Sequence, residues 1–486
     1  MYKHFFWAAR MVCFLLVTVL ISTTWTMAES ETPQKTEEGS ANQVRLTLNG
    51  AIQEALENNL ELKNQGLSVE SAHQDLIEAY TGLVPQLNLS VFGKMLDQNR
   101  IGQTFGTGSQ HAVTGSVSLT QPLISEPTWA DITISKDLQQ AHQHDLEAGK
   151  LDTALAAANA YLNVLHVQSL ERIRNSNLQL TRTNLEAART REQSAMPETS
   201  DVPRWETELA GRQVEYLSTV AEHKQAMREL LRLLHRPQSQ EIVVEDVRPD
   251  DSSLSTGNPQ LDQALKNMEE LHELAPALIS NAQTAAPEIH QLNATRAAQE
   301  RRLTSARLAY FVPTLSLVGG VNQILYSEGQ GGAGDFSGNG IVFPKEPNDT
   351  EWLVGLQLSL PLLNGGSQIT HNRKVVLGLT SLRFQEEAAR DRIDERVRDS
   401  LTRLESSIRS VQLARSAIDP ARKRLDETTA AYGRGSASFL ELFDAQQAFL
   451  NASLLKVNAD YVAMSNLMEA LRAAGRFPGV AQNPEP

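Results

Sequence analysis

IEAYTGLVPQLNLSV at residues 77–91 and SARLAYFVPTLSLVG at residues 305–319 are two copies of one pattern, with Pro85 over Pro313 at an offset of 228. Further along, VSLTQPLI (117–124) matches LQLSLPLL (356–363), and TSDVPRWETEL (199–209) matches ASFLELFDAQQ (437–447), at offsets of 239 and 238. The order of matches is kept, so a unit of about 230 residues occurs twice, and a fixed repeat must be read before any motif. Each copy has the same layout. An amphipathic helix comes first, at about 46–82 and 277–310. After a proline come two runs of alternating character around a glycine-rich loop. A very long helix follows, at about 127–195 and 367–433, and then a turn and a second helix, at about 202–236 and 438–474. The polar stretch 237–276 joins the copies and reads as a linker with one short strand and a short helix.

Helix lengths constrain the architecture. At 1.5 Å per residue a 67-residue helix is roughly 100 Å long, and each shorter helix is roughly half of that. Two short helices end to end therefore match one long one, which predicts a rod. Leu450, Leu454, Val457, Tyr461, Met464, Met468 and Leu471 follow alternating steps of four and three. So do Val397, Leu401, Leu404, Ile408 and Val411, and also Leu151, Leu155, Ala158, Leu162 and Leu165. That spacing is a coiled-coil seam. Pro420 is expected to interrupt and kink the second long helix.

The alternating runs, at about 86–97, 111–123, 314–326 and 351–363, have a period of two. Trp352, Val354, Leu356, Leu358 and Leu360 share one face, against Leu353, Gly355, Gln357 and Ser359. Leu87, Leu89 and Val91 oppose Gln86, Asn88 and Ser90 in the same way. Such alternation suits a transmembrane β-strand and equally a half-buried strand of a soluble sandwich. Export and the presence of only two hairpins favour the membrane. Four strands leave two open edges, which lipid penalises by several kcal/mol per unpaired backbone group. The membrane reading therefore requires oligomerisation, with eight strands from two chains or twelve from three.

The 486 residues carry 44 basic and 58 acidic side chains, a formal charge of −14, which argues against a nucleic-acid partner. One cysteine excludes an internal disulfide framework and a cysteine-built zinc site. Residues 1–28, MYKHFFWAARMVCFLLVTVLISTTWTMA, have a basic start, an apolar run from Val12 to Ile21 and small residues at a cleavage position. They read as a secretory signal peptide, too short in its apolar run to span a bilayer comfortably. Its removal would leave 42 basic against 58 acidic side chains, a charge of −16 and no cysteine. Residues 29–45 are polar and expected to be disordered, and residues 476–486 form a C-terminal tail.

The duplicated order of helix, hairpin, long helix and helix resembles the outer-membrane efflux protein family, the TolC-like channels. Its sharpest stretch is AAYGRGSASFLELFDAQQAFLNASLLKVNADYVAMSNLMEALRAAG (430–475), with SAMPETSDVPRWETELAGRQVEYLSTV as the first-copy counterpart. The resemblance covers nearly all of the mature chain. It implies a mainly α fold with a membrane β-barrel: two repeats, 46–236 and 277–475, an equatorial linker at 237–276, and a homotrimer with a twelve-stranded barrel on a coiled-coil tunnel. It implies an outer-membrane location among lipid with a periplasmic helical extension. The function implied is a passive exit duct for efflux of small molecules or type I protein secretion. The partners implied are an inner-membrane transporter and a periplasmic adaptor, with no catalysis and no cofactor. By motif, Asp201, Tyr432, Glu441 and Asp444 fall on the family's periplasmic gate, and Met196, Pro197, Gly433, Arg434, Gly435, Ser436 and Ala437 on the helix tips that dock the adaptor. Glu441 and Asp444 are three apart and share a helix face. Six such carboxylates around one axis are expected to raise their own pKa values and to favour cations. The family's closing arginine falls on Ala437 here, with Arg434 nearby as a substitute.

Gly329, Gly331 and Gly334 satisfy G-x-G-x-x-G, but no helix pattern follows, so the segment reads as a loop. His272-Glu273 begins a zincin-like string that Pro276 ends, and His142 and His144 lie on different helix faces. No nucleophile elbow or P-loop lysine occurs, so nothing points to an enzyme or a metal site. A periplasmic coiled-coil scaffold and a surface adhesin with a helical stalk are the alternatives to a channel.

Overall fold

The computed structural model describes residues 45–97, 109–194, 201–247, 268–330 and 349–475, together with Phe477. Residues 1–28, read as a signal peptide, most of the two hairpin loops, Met196 and Pro197 lie outside the described residues. In chain order the elements are β1 (Arg45–Leu46), α1 (Leu48–Asn58), α2 (Leu60–Thr81), β2 (Gln86–Met95), β3 (Ser109–Ile124), α3 (Glu126–Ser194) and α4 (Val202–Leu233). The second half has β4 (Val243–Val244), α5 (Met268–Ala285), α6 (Pro287–Leu308), β5 (Thr314–Gln330), β6 (Thr350–Ser359), α7 (Ser367–Gly433) and α8 (Phe439–Ala473).

The long helices α3 and α7 have 69 and 67 residues, and each is roughly 100 Å long. Near the sheet the helices lie side by side in the order α2, α3, α6, α7, and in the far half in the order α4, α3, α8, α7. Each long helix is thus flanked by different short helices in its two halves. The seams close as their spacing predicts. Leu151, Leu162, Leu165, Val397, Leu401, Leu404, Met464, Met468 and Leu471 are all buried in one central cluster.

Three sequence expectations need correction. The first helix of each copy is broken. Asn59 separates α1 from α2, because its Oδ1 accepts from the backbone N–H of Glu61 at 2.9 Å and Leu62 at 3.1 Å and so starts a new helix. Pro287 does the same for α6, since a proline suits the first helical turn and lacks the N–H needed to continue α5. Second, α7 continues through Pro420. The proline is exposed, so the carbonyl it leaves unpaired faces water. Third, the terminal segments are not wholly tails. Arg45 and Leu46 pair in parallel with Val243 and Val244, and Phe477 is buried in the central cluster. The Tyr161 hydroxyl lies 2.9 Å from the Leu46 carbonyl oxygen and 2.8 Å from that of Glu245, which pins this small ribbon to α3.

The four long strands form one antiparallel sheet in the order β2-β3-β5-β6. The register aligns apolar residues in rows across all four. Leu89, Val117, Val321 and Trp352 form one row, and Leu87, Leu119, Gly319 and Val354 the next. The other face carries Ser90, Ser116, Asn322 and Glu351 in a row, with Ser90 and Ser116 hydroxyls 2.6 Å apart. The apolar face is exposed, with Leu89 at 66% and Trp352 at 75%. Both edges, β2 and β6, lack a partner strand among the described residues.

Candidate functional site

The end of the bundle farthest from the sheet holds a compact cluster drawn from four helices. Leu185 and Ala188 of α3, Trp205 of α4, Leu425 and Tyr432 of α7, and Leu442 and Ala445 of α8 are buried together. Local sequence builds the two tips. After Tyr432, Gly435 takes φ of 80° and turns the chain, a conformation that glycine adopts without strain. Ser438 then caps α8, its hydroxyl accepting from the Glu441 N–H at 3.3 Å while the Glu441 carboxylate accepts from the Ser438 N–H at 2.7 Å. This is a capping box, in which two orphan donors are satisfied reciprocally. Pro203 stands in the first turn of α4, behind Asp201 at the N-cap.

Asp201 and Tyr432, predicted together, meet across the two copies. The Tyr432 hydroxyl donates to Asp201 Oδ2 at 3.2 Å and accepts from Trp205 Nε1 at 3.3 Å. Burial raises the Tyr432 pKa, and the adjacent Asp201 charge adds to this. The hydroxyl therefore stays protonated and remains a donor at neutral pH. The Arg191 guanidinium lies over the Tyr432 ring, 4.5 Å from its centroid, in the geometry of a cation–π contact. Arg204 reaches Asp201 at 4.0 Å and stacks over Phe439 at 5.5 Å. Phe439 meets the Trp205 ring edge-on at 4.9 Å.

Glu441 and Asp444 are not part of this contact. Both are exposed on α8, while Leu442 and Ala445, each one residue further along, point inward. Within the chain the Glu441 pKa moves opposite to the expected rise. The Ser438 N–H and hydroxyl both donate to its carboxylate and hold it below the usual range. Arg434 is exposed and has no ion pair among the described residues. The guanidiniums that reach the Tyr432–Asp201 pair are Arg191 and Arg204. Gly433, Gly435 and Ser436 are exposed at the α7–α8 turn, and Ala437 packs partly against the tip cluster.

Sequence reading missed the support beneath the tip. Gln446, in the Asp-Ala-Gln-Gln run, is buried and spans to α3. Its Nε2 donates to Asn177 Oδ1 at 2.9 Å and Thr181 Oγ1 at 2.7 Å, and its Oε1 accepts from Asn184 Nδ2 at 3.0 Å. The signal was present, since Asn177, Thr181 and Asn184 recur at steps of four and three within an otherwise ordinary helix. Their partner was not legible, because it lies 262 to 269 residues away. Arg191 and Trp205 were missed for the same reason.

Among the described residues no group of three histidine, cysteine or acidic side chains is placed to hold a metal ion. His144 contacts Glu147 at 3.0 Å and lies 5.3 Å from the His290 ring. No described helix is long and apolar enough to cross a membrane.

The sequence profile of the family described as "Outer membrane efflux protein" matches residues 51–234 and again 278–475. The outer membrane protein TolC of Escherichia coli (strain K12) is 23% identical over 429 residues, covering 87% of this chain and 81% of that protein. The outer membrane protein TolC of Vibrio cholerae serotype O1 is 22% identical over 426 residues, covering 87% and 89%. Among solved structures, the Campylobacter jejuni CmeC outer membrane channel superposes with a TM-score of 0.66 at 17% identity, covering 90% of this chain and 87% of its own. The open state of the Neisseria gonorrhoeae MtrE outer membrane channel gives 0.66 at 17%, covering 88% and 89%. At these identities the solved structures speak to the fold, and the doubled profile match speaks to descent. The chain belongs to the outer membrane efflux protein family, resides in the outer membrane, and has the TolC-like fold.

Proposed function

We propose that three copies of this chain close into one passive exit duct, with a twelve-stranded barrel in the outer membrane and a helical tunnel in the periplasm. The observation that carries the reading is the open edge. The four-stranded sheet ends unpaired at β2 and β6, and an apolar face cannot sit in lipid beside unpaired backbone groups. The helical layer ends in the same way. The edge helix α2 exposes Leu67 and Tyr80, and the edge helix α7 exposes Leu377 and Phe384. A head-to-tail contact between these edges closes into a ring. Within this reading, residues 1–28 direct export, and residues 46–236 and 277–475 are the two repeats joined at the equator by 237–276.

The far tip is the gate in this proposal. Tyr432 and Asp201 hold α7 against α4, Arg191 covers the ring, and Glu441 and Asp444 present carboxylates to the narrowing. Met196, Pro197 and residues 433–437 form the tips that meet a periplasmic adaptor, and an inner-membrane transporter supplies the energy for export of small molecules or proteins. The chain does no bond-making chemistry and needs no cofactor. The test is the mass of the particle extracted from outer membranes. One full chain is 53.5 kDa, so a trimer without its leaders has about 150 kDa of protein, beside the detergent, if the strands complete a shared barrel. A monomer or dimer that never enters the membrane would overturn the proposal and favour a periplasmic scaffold.

A further inference from the structure

Directly below the sheet, the first turns of α3, the last turns of α6 and the first turns of α7 enclose an open cavity of about 750 Å³. Its floor is apolar and built from short side chains, among them Ala130 and Ala306, with Ile134. The cations Arg302 and Lys374 stand around it, with the His371 ring beside them and Asp131 opposite. These charges differ from their neighbours. Arg301 pairs with Glu126 at 2.6 Å and Arg296 with Glu386 at 2.9 Å. Lys374, His371 and Asp131 have no hydrogen bond or ion pair among the described residues, and Arg302 reaches only the neutral Gln299 amide oxygen at 3.3 Å. Unpaired cations grouped over an apolar floor are the composition of a site that binds a ligand with an apolar body and few charged groups.

Which side of the helical layer carries the cavity follows from Trp129. That side chain is 51% exposed, one residue before Ala130. At 100° per residue it lies roughly 150° around α3 from the side lining the cavity. An exposed tryptophan one turn below a membrane strand belongs at the lipid headgroups. The cavity then opens on the opposite side, which in a closed tunnel is the lumen. This placement rests on the duct reading.

We propose that this cavity is a binding site on the export path for amphiphilic organic anions, that is, a carboxylate or sulfonate carried on an apolar ring system. Arg302 and Lys374 hold the anionic group, Ala130, Ile134 and Ala306 receive the ring system, and Asp131 opposes the anion and limits its affinity. The site lies at the tunnel's upper end, roughly 100 Å from the acidic tip.

Fluorescein, an organic anion with a carboxyphenyl group on a planar xanthene core, is the probe, and rhodamine 123, a cation on the same xanthene core, is the control. Anisotropy is read with the full chain purified in detergent, after subtraction of empty micelles. Fluorescein should bind saturably, and rhodamine 123 should not. Arg302→Gln and Lys374→Gln should each weaken fluorescein binding about tenfold, the effect of losing one charge-assisted contact. Asp131→Asn should tighten it several-fold. The opposite signs of these surface variants guard against a general folding defect. No saturable fluorescein binding, equal binding of both dyes, or indifference to Arg302→Gln and Lys374→Gln would overturn the site. Planar-bilayer conductance on the same preparation separates the two readings. A conducting channel without dye binding loses the site alone, and saturable dye binding by a chain that never conducts removes the duct and its lumen while the anion site stands.

Discussion

Replacing Gln446 by leucine tests whether the buried amide network holds the tip helix α8 onto α3. The residue is 3% exposed, and its amide makes three contacts of 2.7 to 3.0 Å with Asn177, Thr181 and Asn184. Leucine fills most of the volume and offers no polar atom. Asn177 Oδ1 and Asn184 Nδ2 then lose their cross-helix partners inside a buried interface. Each buried group left unsatisfied costs about 1–3 kcal/mol, so the local loss is about 2–6 kcal/mol. Thr181 still donates to the Asn177 carbonyl at 2.9 Å and adds little. The assay is hydrogen exchange across residues 177–184 and 442–450 in the intact assembly. Even the lower bound corresponds to roughly 30-fold faster exchange, if opening is local. The triple variant Asn177→Leu, Asn184→Leu, Gln446→Leu removes both sides of the network and should recover most of the protection, because an apolar match leaves nothing unsatisfied. Unchanged exchange in Gln446→Leu, or a triple variant as unprotected as the single one, would refute the reasoning.

Tyr432→Phe removes one hydroxyl and leaves buried Trp205 Nε1 without its acceptor, at a cost of about 1–3 kcal/mol; the expected readout is a larger basal conductance in planar bilayers, and an unchanged one would remove Tyr432 from the gate. Arg472 is buried, holding Asp152 at 2.7 Å and Glu288 at 2.8 Å. Burial by itself would raise the Glu288 pKa, and Arg472 with Arg396 more than offsets this, so the carboxyl sits below its ordinary value. Its contribution to stability is therefore present above about pH 4.3, the unfolded value, and is lost as pH falls through the lower folded pKa. Arg472→Met should cost about 3–5 kcal/mol at neutral pH, and the gap in melting temperature from the parent should narrow in acid; a gap independent of pH would count against the pairing. Glu441→Gln with Asp444→Asn removes the proposed acidic ring while the glutamine keeps the capping box, so reconstituted channels should lose cation selectivity without losing the tip. Within one chain the Ser438 N–H and hydroxyl lower the Glu441 pKa, which opposes the rise that a ring of like charges would bring. Selectivity unaffected by the double substitution would dismiss the ring.

What was legible in the sequence was whatever repeats at short range. The period of two across 86–97 and 351–363 predicted strands that the structure shows as β2 and β6, because alternation follows directly from the pleat. The 3.5-residue spacing of Val397, Leu401 and Leu404 predicted a buried seam for the equally local reason that helix geometry fixes which residues share a face. The internal duplication determined the order of elements, and the family resemblance placed Tyr432 and Asp201 at one gate, where the structure shows them in contact. Breaks at Asn59 and Ala286 were less visible, since one capping side chain or one proline can end a helix inside a continuous amphipathic pattern. Tertiary structure alone decided which distant groups meet. Gln446 finds Asn177, Arg191 covers Tyr432, and Arg302 and Lys374 share a cavity because helices from both repeats converge on each place. No local rule encodes such meetings, since they depend on the axial stagger of roughly 100 Å helices, which is set by the sum of all the seam contacts rather than by any one residue.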